Sequence, residues 1–319
     1  MDKILVTGAG GQLGIELTKA LGKLYGGEAI WATDITNDTL SKFDYCNFAV
    51  LDVLDKNAIH HLIKKEGITQ IYHLAAILSA KGEKDPHYAW NLNVNSLLNI
   101  LELSKSLHLD KVFWPSSIAV FGPNTPKINT PQYSVKEPNT VYGISKLAGE
   151  RWCEYYHLHG QVDVRSLRYP GLIGYKSQPG GGTTDYAVDI FHKALKGESF
   201  KCFLKKDTTL PMMYMPDAVN ATLQLMQAPI AAIHIRSSYN LAAISFSPEE
   251  IYRYLLDFYP DFKISYEPDF RQRIAEGWPL TIDDQAARND WGWLPKFDLP
   301  KMVKDILINL PNYIHQNLK

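Results

Sequence analysis

Apolar residues in the first half of the chain follow two alternating rhythms. Residues 3–6 are a short apolar run that stops at Thr7-Gly8, as a buried strand does. Residues 14–24 then set Ile15, Leu17, Ala20, Leu21 and Leu24 at helical spacing. Further strands are expected at 28–33, 48–51, 70–74, 111–115 and 162–167, with helices at 56–66, 86–107 and 139–159. Strand and helix units alternating at this size predict a parallel sheet covered on both faces. The second half is less regular. Pro179 to Gly182 marks a loop, 185–195 reads as a helix, 212–215 as a strand, and 217–227 as a helix capped by Asp217. Residues 239–242 are expected to rejoin the main sheet, and 248–259 and 301–309 to be helical.

The turn after the first strand carries the first candidate chemistry. Gly8, Gly11 and Gly14 form a G-x-x-G-x-x-G run between strand and helix. Without Cβ atoms the turn can be tight, and backbone N–H groups can approach a pyrophosphate at the helix N-terminus. Asp34 ends the next strand, 20 residues past Gly14, where a carboxylate accepts from a ribose 2′-OH. The same carboxylate repels a 2′-phosphate, so NAD is expected rather than NADP. Asp52 and Val53 end the third strand near an expected adenine, and Leu74-Ala75-Ala76 offer small residues at the sheet's switch point. The expected fold class is therefore α/β: a Rossmann-like doubly wound parallel sheet with a small C-terminal substrate-binding lobe. The NAD-binding domain is expected at 1–170, with returns near 216–243. The lobe is expected at 171–215 and 244–319.

A second pattern points to catalysis. Tyr142 and Lys146 are four residues apart and share one face of an expected helix. A tyrosine titrates near pH 10, and a nearby ammonium favours the phenolate. Bringing it to about 7 takes roughly 4 kcal/mol, within reach of a buried lysine and a cationic nicotinamide ring together. Ser116-Ser117 follow the preceding strand, and Ser117 lies 25 residues before Tyr142.

Together these motifs resemble the extended short-chain dehydrogenase/reductase family. The resemblance implies a cofactor fingerprint at Thr7 to Gly14, with Gln12 and Leu13 inside it. It implies Tyr142 as general base, Lys146 as its partner on the nicotinamide ribose, and Ser117 as the catalytic Ser/Thr. It places Asn93 and Tyr169 beside the cofactor. Many extended members act on nucleotide sugars and carry Arg-x-x-Asn-Val-Tyr-Gly-Pro; here Arg168-Tyr169-Pro170-Gly171 lacks that asparagine. Residues 73–80, 179–187 and 210–218 instead resemble the short-chain L-threonine 3-dehydrogenases. That likeness implies L-threonine as substrate, with Ser79, Gly182, Thr183 and Thr184 contacting it beside Ser117 and Tyr142. A nucleotide-sugar epimerase or dehydratase stays open, as does a non-catalytic NAD-binding regulator on the same fold.

Composition narrows the rest. With 33 Lys and Arg against 34 Asp and Glu, the chain has no basic excess for nucleic acid or a membrane surface. No apolar run approaches the roughly 20 residues of a membrane span. Cys46, Cys153 and Cys202 are widely spaced, and the ten histidines form no metal-ligand pattern, so no metal is expected. The first strand starts at once, with no room for a targeting peptide, and a cytoplasmic protein is expected. Apolar residues on the helices at 86–107 and 139–159 exceed what one sheet face needs. In the family these two helices build a homodimer, which is expected here.

Overall fold

The structure is a computed structural model that describes residues 2–176, 180 and 182–317. Six strands form in the first half: β1 (Ile4–Thr7), β2 (Ile30–Asp34), β3 (Asn47–Val50), β4 (Gln70–His73), β5 (Lys111–Ser117) and β6 (Val164–Tyr169). The second half adds β7 (Gly171–Ile173), β8 (Phe200–Cys202), β9 (Leu210–Tyr214), β10 (Tyr239–Asn240), β11 (Ile244–Phe246) and β12 (Ile264–Tyr266). The central sheet runs β10-β6-β5-β4-β1-β2-β3, and its pairings are parallel. Strand order reverses between β1 and β4, so a crevice opens beyond their C-terminal ends.

The continuous apolar runs follow from burial on both faces. Successive strand residues point to opposite sides. Leu5, Ile71 and Val112 join Ile59, Ile63, Leu97 and Leu101 in one core. Ile4, Val6, Tyr72 and Phe113 join Leu17, Leu21 and Leu225 in the other. A smaller unit gathers around β9, flanked by β7 in parallel and β11 antiparallel, with β8 and β12 as a separate parallel pair. Helices Tyr186–Leu195, Pro248–Leu256 and Leu299–Asn317 cover it with a third core.

Several elements depart from the expectation in instructive ways. The long helix at 86–107 is three pieces: Pro86–Trp90, a π-helical turn at Asn91–Asn95, and Ser96–Leu107. The wide turn accompanies a bond set that a regular helix does not make, since the Asn93 side chain clamps both backbone groups of Ile77. Asp217 is not a helix cap. Its helix starts at Met215, and its carboxylate instead accepts from the amides of Lys296 and Phe297 at 3.0 and 3.1 Å. The first helix starts at Gln12, two residues before its apolar rhythm becomes visible. Leu97, Leu101 and Leu103 of Ser96–Leu107 are buried in the chain's own core rather than left for a second copy. Among the described residues, no helix is long and apolar enough to cross a membrane.

Candidate active site

The turn after β1 is built around missing side chains. Gly8 holds φ +67°, and a Cβ there would stand 2.6 Å from the Ala75 nitrogen. A Cβ on Gly14 would stand 2.5 Å from the Gly8 and Ala9 carbonyl oxygens. The backbone therefore lies close against the end of β4, with Gly11 at the N-terminus of helix Gln12–Tyr25. A cleft of about 420 Å³ opens here and brings together Gly8, Gly11, Asp34, Asp52, Val53, Leu74, Ala75 and Ala76. Gln12 and Leu13 form the first helical turn behind the glycines.

Sequence reasoning passed over Gly10, which also lines the cleft. Its N–H donates to Asp34 Oδ2 at 2.8 Å, while the Ile35 N–H donates to Oδ1 at 2.8 Å. The signal was present in the doubled Gly10-Gly11. Thr39 is a second omission: its buried hydroxyl lacks a protein partner, and a Cβ on Gly10 would lie 2.7 Å from it and 2.9 Å from Asp34 Oδ2. A carboxylate, an orphaned hydroxyl and a Cβ-free cradle at a helix N-terminus fit a dinucleotide.

The catalytic candidates meet at the next strand end. Ser117 closes β5, and Thr140 caps helix Val141–Gly160, which carries Tyr142 and Lys146 on the face turned to β5. Ser117 hydrogen-bonds the Tyr142 side chain and also accepts from the Ala119 N–H at 3.2 Å. Lys146 Nζ donates to the Pro115 carbonyl at 2.6 Å and lies 4.5 Å from the Trp114 ring centre and 5.6 Å from that of Tyr142. The expected lowering of Tyr142 does not appear in this state. Burial pushes its phenol up to about 12, opposed by the Ser117 hydrogen bond. Burial likewise pulls Lys146 down to about 7, against the pull of Cys153 and Glu150. Desolvation is thus the largest influence on both groups.

Asn93 supports the site from behind. Besides gripping Ile77, it donates to Ser145 Oγ at 3.1 Å, joining the segment after β4 to the Tyr142 helix. Tyr169 points elsewhere: its hydroxyl is engaged with Thr222 and the Ala218 carbonyl in the core beneath helix Met215–Gln227. The substrate candidates converge in part. Buried Ser79 opens the short helix Ser79–Gly82, and its Oγ lies 3.4 Å from Thr183 Oγ1. Thr184 packs against Gly171, where a Cβ would stand 2.6 Å from the threonine methyl. The Gly182 N–H donates to Asp185 Oδ2 at 2.7 Å, a carboxylate that sequence reasoning had used only as a helix boundary. Pro179 and Gly181 of that loop lie outside the described residues.

Known proteins are similar to this chain along nearly its whole length. The NAD dependent epimerase/dehydratase family model matches residues 4–242. An uncharacterised epimerase/dehydratase from Staphylococcus saprophyticus is 45% identical over 309 residues, covering 96% of this chain and 96% of its own. Among solved structures, the holo form of a GalE-like L-threonine dehydrogenase from Cupriavidus necator is 54% identical, with TM-score 0.95 over 97% of this chain and 99% of that one. A monomeric L-threonine 3-dehydrogenase from a metagenome, in apo form, is 46% identical, with TM-score 0.93 over 97% and 99%.

Proposed function

Because the chain belongs to the NAD dependent epimerase/dehydratase family, with NAD as its cofactor, we propose that it oxidises L-threonine at C3 to 2-amino-3-oxobutanoate. The observation that carries this reading is the Ser79–Thr183 pair, which joins the segment after β4 to the segment before helix Tyr186–Leu195. Buried hydroxyls at that spacing suit a small zwitterion. The likeness to the Cupriavidus necator threonine dehydrogenase supports it across nearly the whole chain.

The amides around Gly8, Gly11 and Gly14 would hold the pyrophosphate, Asp34 the adenosine ribose and Lys146 the nicotinamide ribose. NAD, when bound, would supply the acceptor for the hydride lost from C3 and a positively charged ring. Tyr142 takes the proton from the substrate hydroxyl as general base. Ser117 donates a hydrogen bond to the same oxygen as it becomes a carbonyl oxygen. Ser79, the Gly182 backbone, Thr183 and Thr184 position the amine and carboxylate. Burial raises the phenol and lowers the lysine, and a positive charge brought near Tyr142 would favour its phenolate. We further propose an enzyme of two lobes, divided as the sequence suggests, that works as a homodimer in the cytoplasm.

The competing reading, a nucleotide-sugar epimerase, draws on the Staphylococcus saprophyticus relative. Mass spectrometry of the products separates the two. Threonine-dependent 2-amino-3-oxobutanoate, or aminoacetone from its decarboxylation, supports the proposal. An epimerised UDP-sugar with threonine left intact contradicts it.

A further inference from the structure

Helix Val141–Gly160 grips the end of β5 at three consecutive residues. Lys146 holds the Pro115 carbonyl at 2.6 Å, Ser116 Oγ donates to Glu150 Oε1 at 2.8 Å, and Ser117 bonds Tyr142. The three helical residues stand at i, i+4 and i+8, one above the other on a single face. The outer two grips belong to the catalytic group. The middle one, Ser116 to Glu150, has no part in the chemistry described above.

Glu150 is an expensive residue to place there. It is 0% exposed and bonds the register partners Ser116 of β5 and Arg168 of β6 from one face of the sheet. Arg168 of β6 donates to it through Nε at 2.7 Å and Nη2 at 2.9 Å, and Lys136 Nζ lies 3.4 Å away. Arg168 is itself held by the Gln132 carbonyl at 3.0 Å and Asn240 Oδ1 at 2.9 Å. Burial alone would raise the Glu150 carboxyl, but Arg168, Lys136 and Ser116 hold it low, so it is an anion. Apolar residues of similar volume often replace such a buried pair without loss of stability. Stability is therefore a weak reason for the pair, and a fixed geometry is a better one.

Charge gives Glu150 a second reach. The groups facing Lys146 are Tyr142, Glu150 and Cys153 on its own helix, His73 on β4, and Trp114 on β5. Burial pushes the Tyr142 phenol and the Cys153 thiol up, so both are neutral. His73 is pulled down to about 3 by burial and by Lys146, so it is neutral as well. Glu150 is the negative charge in this set.

We propose that Glu150 is a positioning residue: through Ser116 it sets the register of Tyr142 and Lys146 against Ser117, and its carboxylate, one turn further along the same helix face, favours the charged form of Lys146. This rests on the reading of Tyr142, Lys146 and Ser117 as the catalytic group. A shift of about 1 Å in such a group is enough to cost about a hundredfold in rate.

Two substitutions separate the two roles. Ser116→Ala removes the hydrogen bond and leaves the Glu150–Arg168 pair intact. We expect kcat to fall about tenfold or more with KM for NAD within about twofold, and amide exchange across 115–119 to quicken. Glu150→Gln keeps a carbonyl for Ser116 and removes the charge, so the alkaline limb of the kcat profile should move to lower pH. Wild-type kcat and wild-type exchange in Ser116→Ala overturn the register role. An unmoved alkaline limb in Glu150→Gln overturns the charge role. Should Glu150→Gln fail to fold, the Ser116→Ala result decides. Amide exchange needs no substrate, so silence of the wild type toward L-threonine counts against the proposed function, while the exchange result still decides the register role.

Discussion

At the scale of single residues, Tyr142 and Lys146 set the sharpest expectations. Tyr142→Phe removes the proposed general base, so turnover should drop by about a thousandfold or more while NAD affinity stays near wild type. Steady-state kinetics together with NAD titration would check both halves. Lys146 makes a claim about stability. Its value falls from 10.5 to about 7 on burial, so between those two pH values the unfolded chain holds a proton that the folded chain has released. Stability from this group therefore rises with pH across that window, and the burial penalty is fully present below about 7. Lys146→Met removes the penalty. Its Tm relative to wild type should be highest near pH 7 and decline toward pH 10; a difference flat in pH would contradict the assignment. Local sequence signals point to Gly8, Gly11, Gly14, Asp34, Tyr142 and Lys146 as candidates, because glycine turns and i,i+4 pairs are written in short stretches. They could not find Glu150, whose partners Ser116 and Arg168 lie 34 and 18 residues away and meet it only once three elements are stacked.

At the scale of elements, the seven-strand sheet was largely legible because its strands are buried on both faces and read as unbroken apolar runs. The small unit was not. Phe200–Cys202 and Ile264–Tyr266 are three residues each, too short to show a period, and pair only with each other. The π turn at Asn91–Asn95 was hidden because apolar spacing alone does not report one extra residue in a turn. Close packing of the catalytic helix on β5 yields a direct test. A Cβ on Gly149 would stand 2.3 Å from Trp114 Cη2, in the same ring that Lys146 overlies. Gly149→Ala should destabilise the protein by about 1–3 kcal/mol through overpacking and lower kcat as well. A urea midpoint shifted at constant m-value would show the first effect; an unchanged midpoint would mean that the helix and strand can part without cost.

At the scale of the whole molecule, the proposed homodimer rests on the catalytic helix more than on its neighbour. Trp152, Tyr155 and Leu158 are 37, 51 and 68% exposed along the one helix. Large apolar side chains gathered on one surface favour association with a second copy. The metagenome enzyme described as monomeric makes the question a real one. Sedimentation should give twice the mass of the 36.1 kDa chain, and Leu158→Asp with Tyr155→Asp should halve it without loss of fold. A wild type that sediments at the mass of one chain would remove the dimer from the account.

The central claim joins NAD, L-threonine and the Tyr142 site, and absorbance at 340 nm tests all three together. Purified protein given L-threonine and NAD should build absorbance steadily, and NADP in its place should give little, because the Asp34 carboxylate in the cleft would repel a 2′-phosphate. No absorbance with L-threonine and NAD, alongside interconversion of a UDP-sugar without net NADH, would leave the fold standing and contradict the substrate reading of Ser79, Thr183 and Thr184.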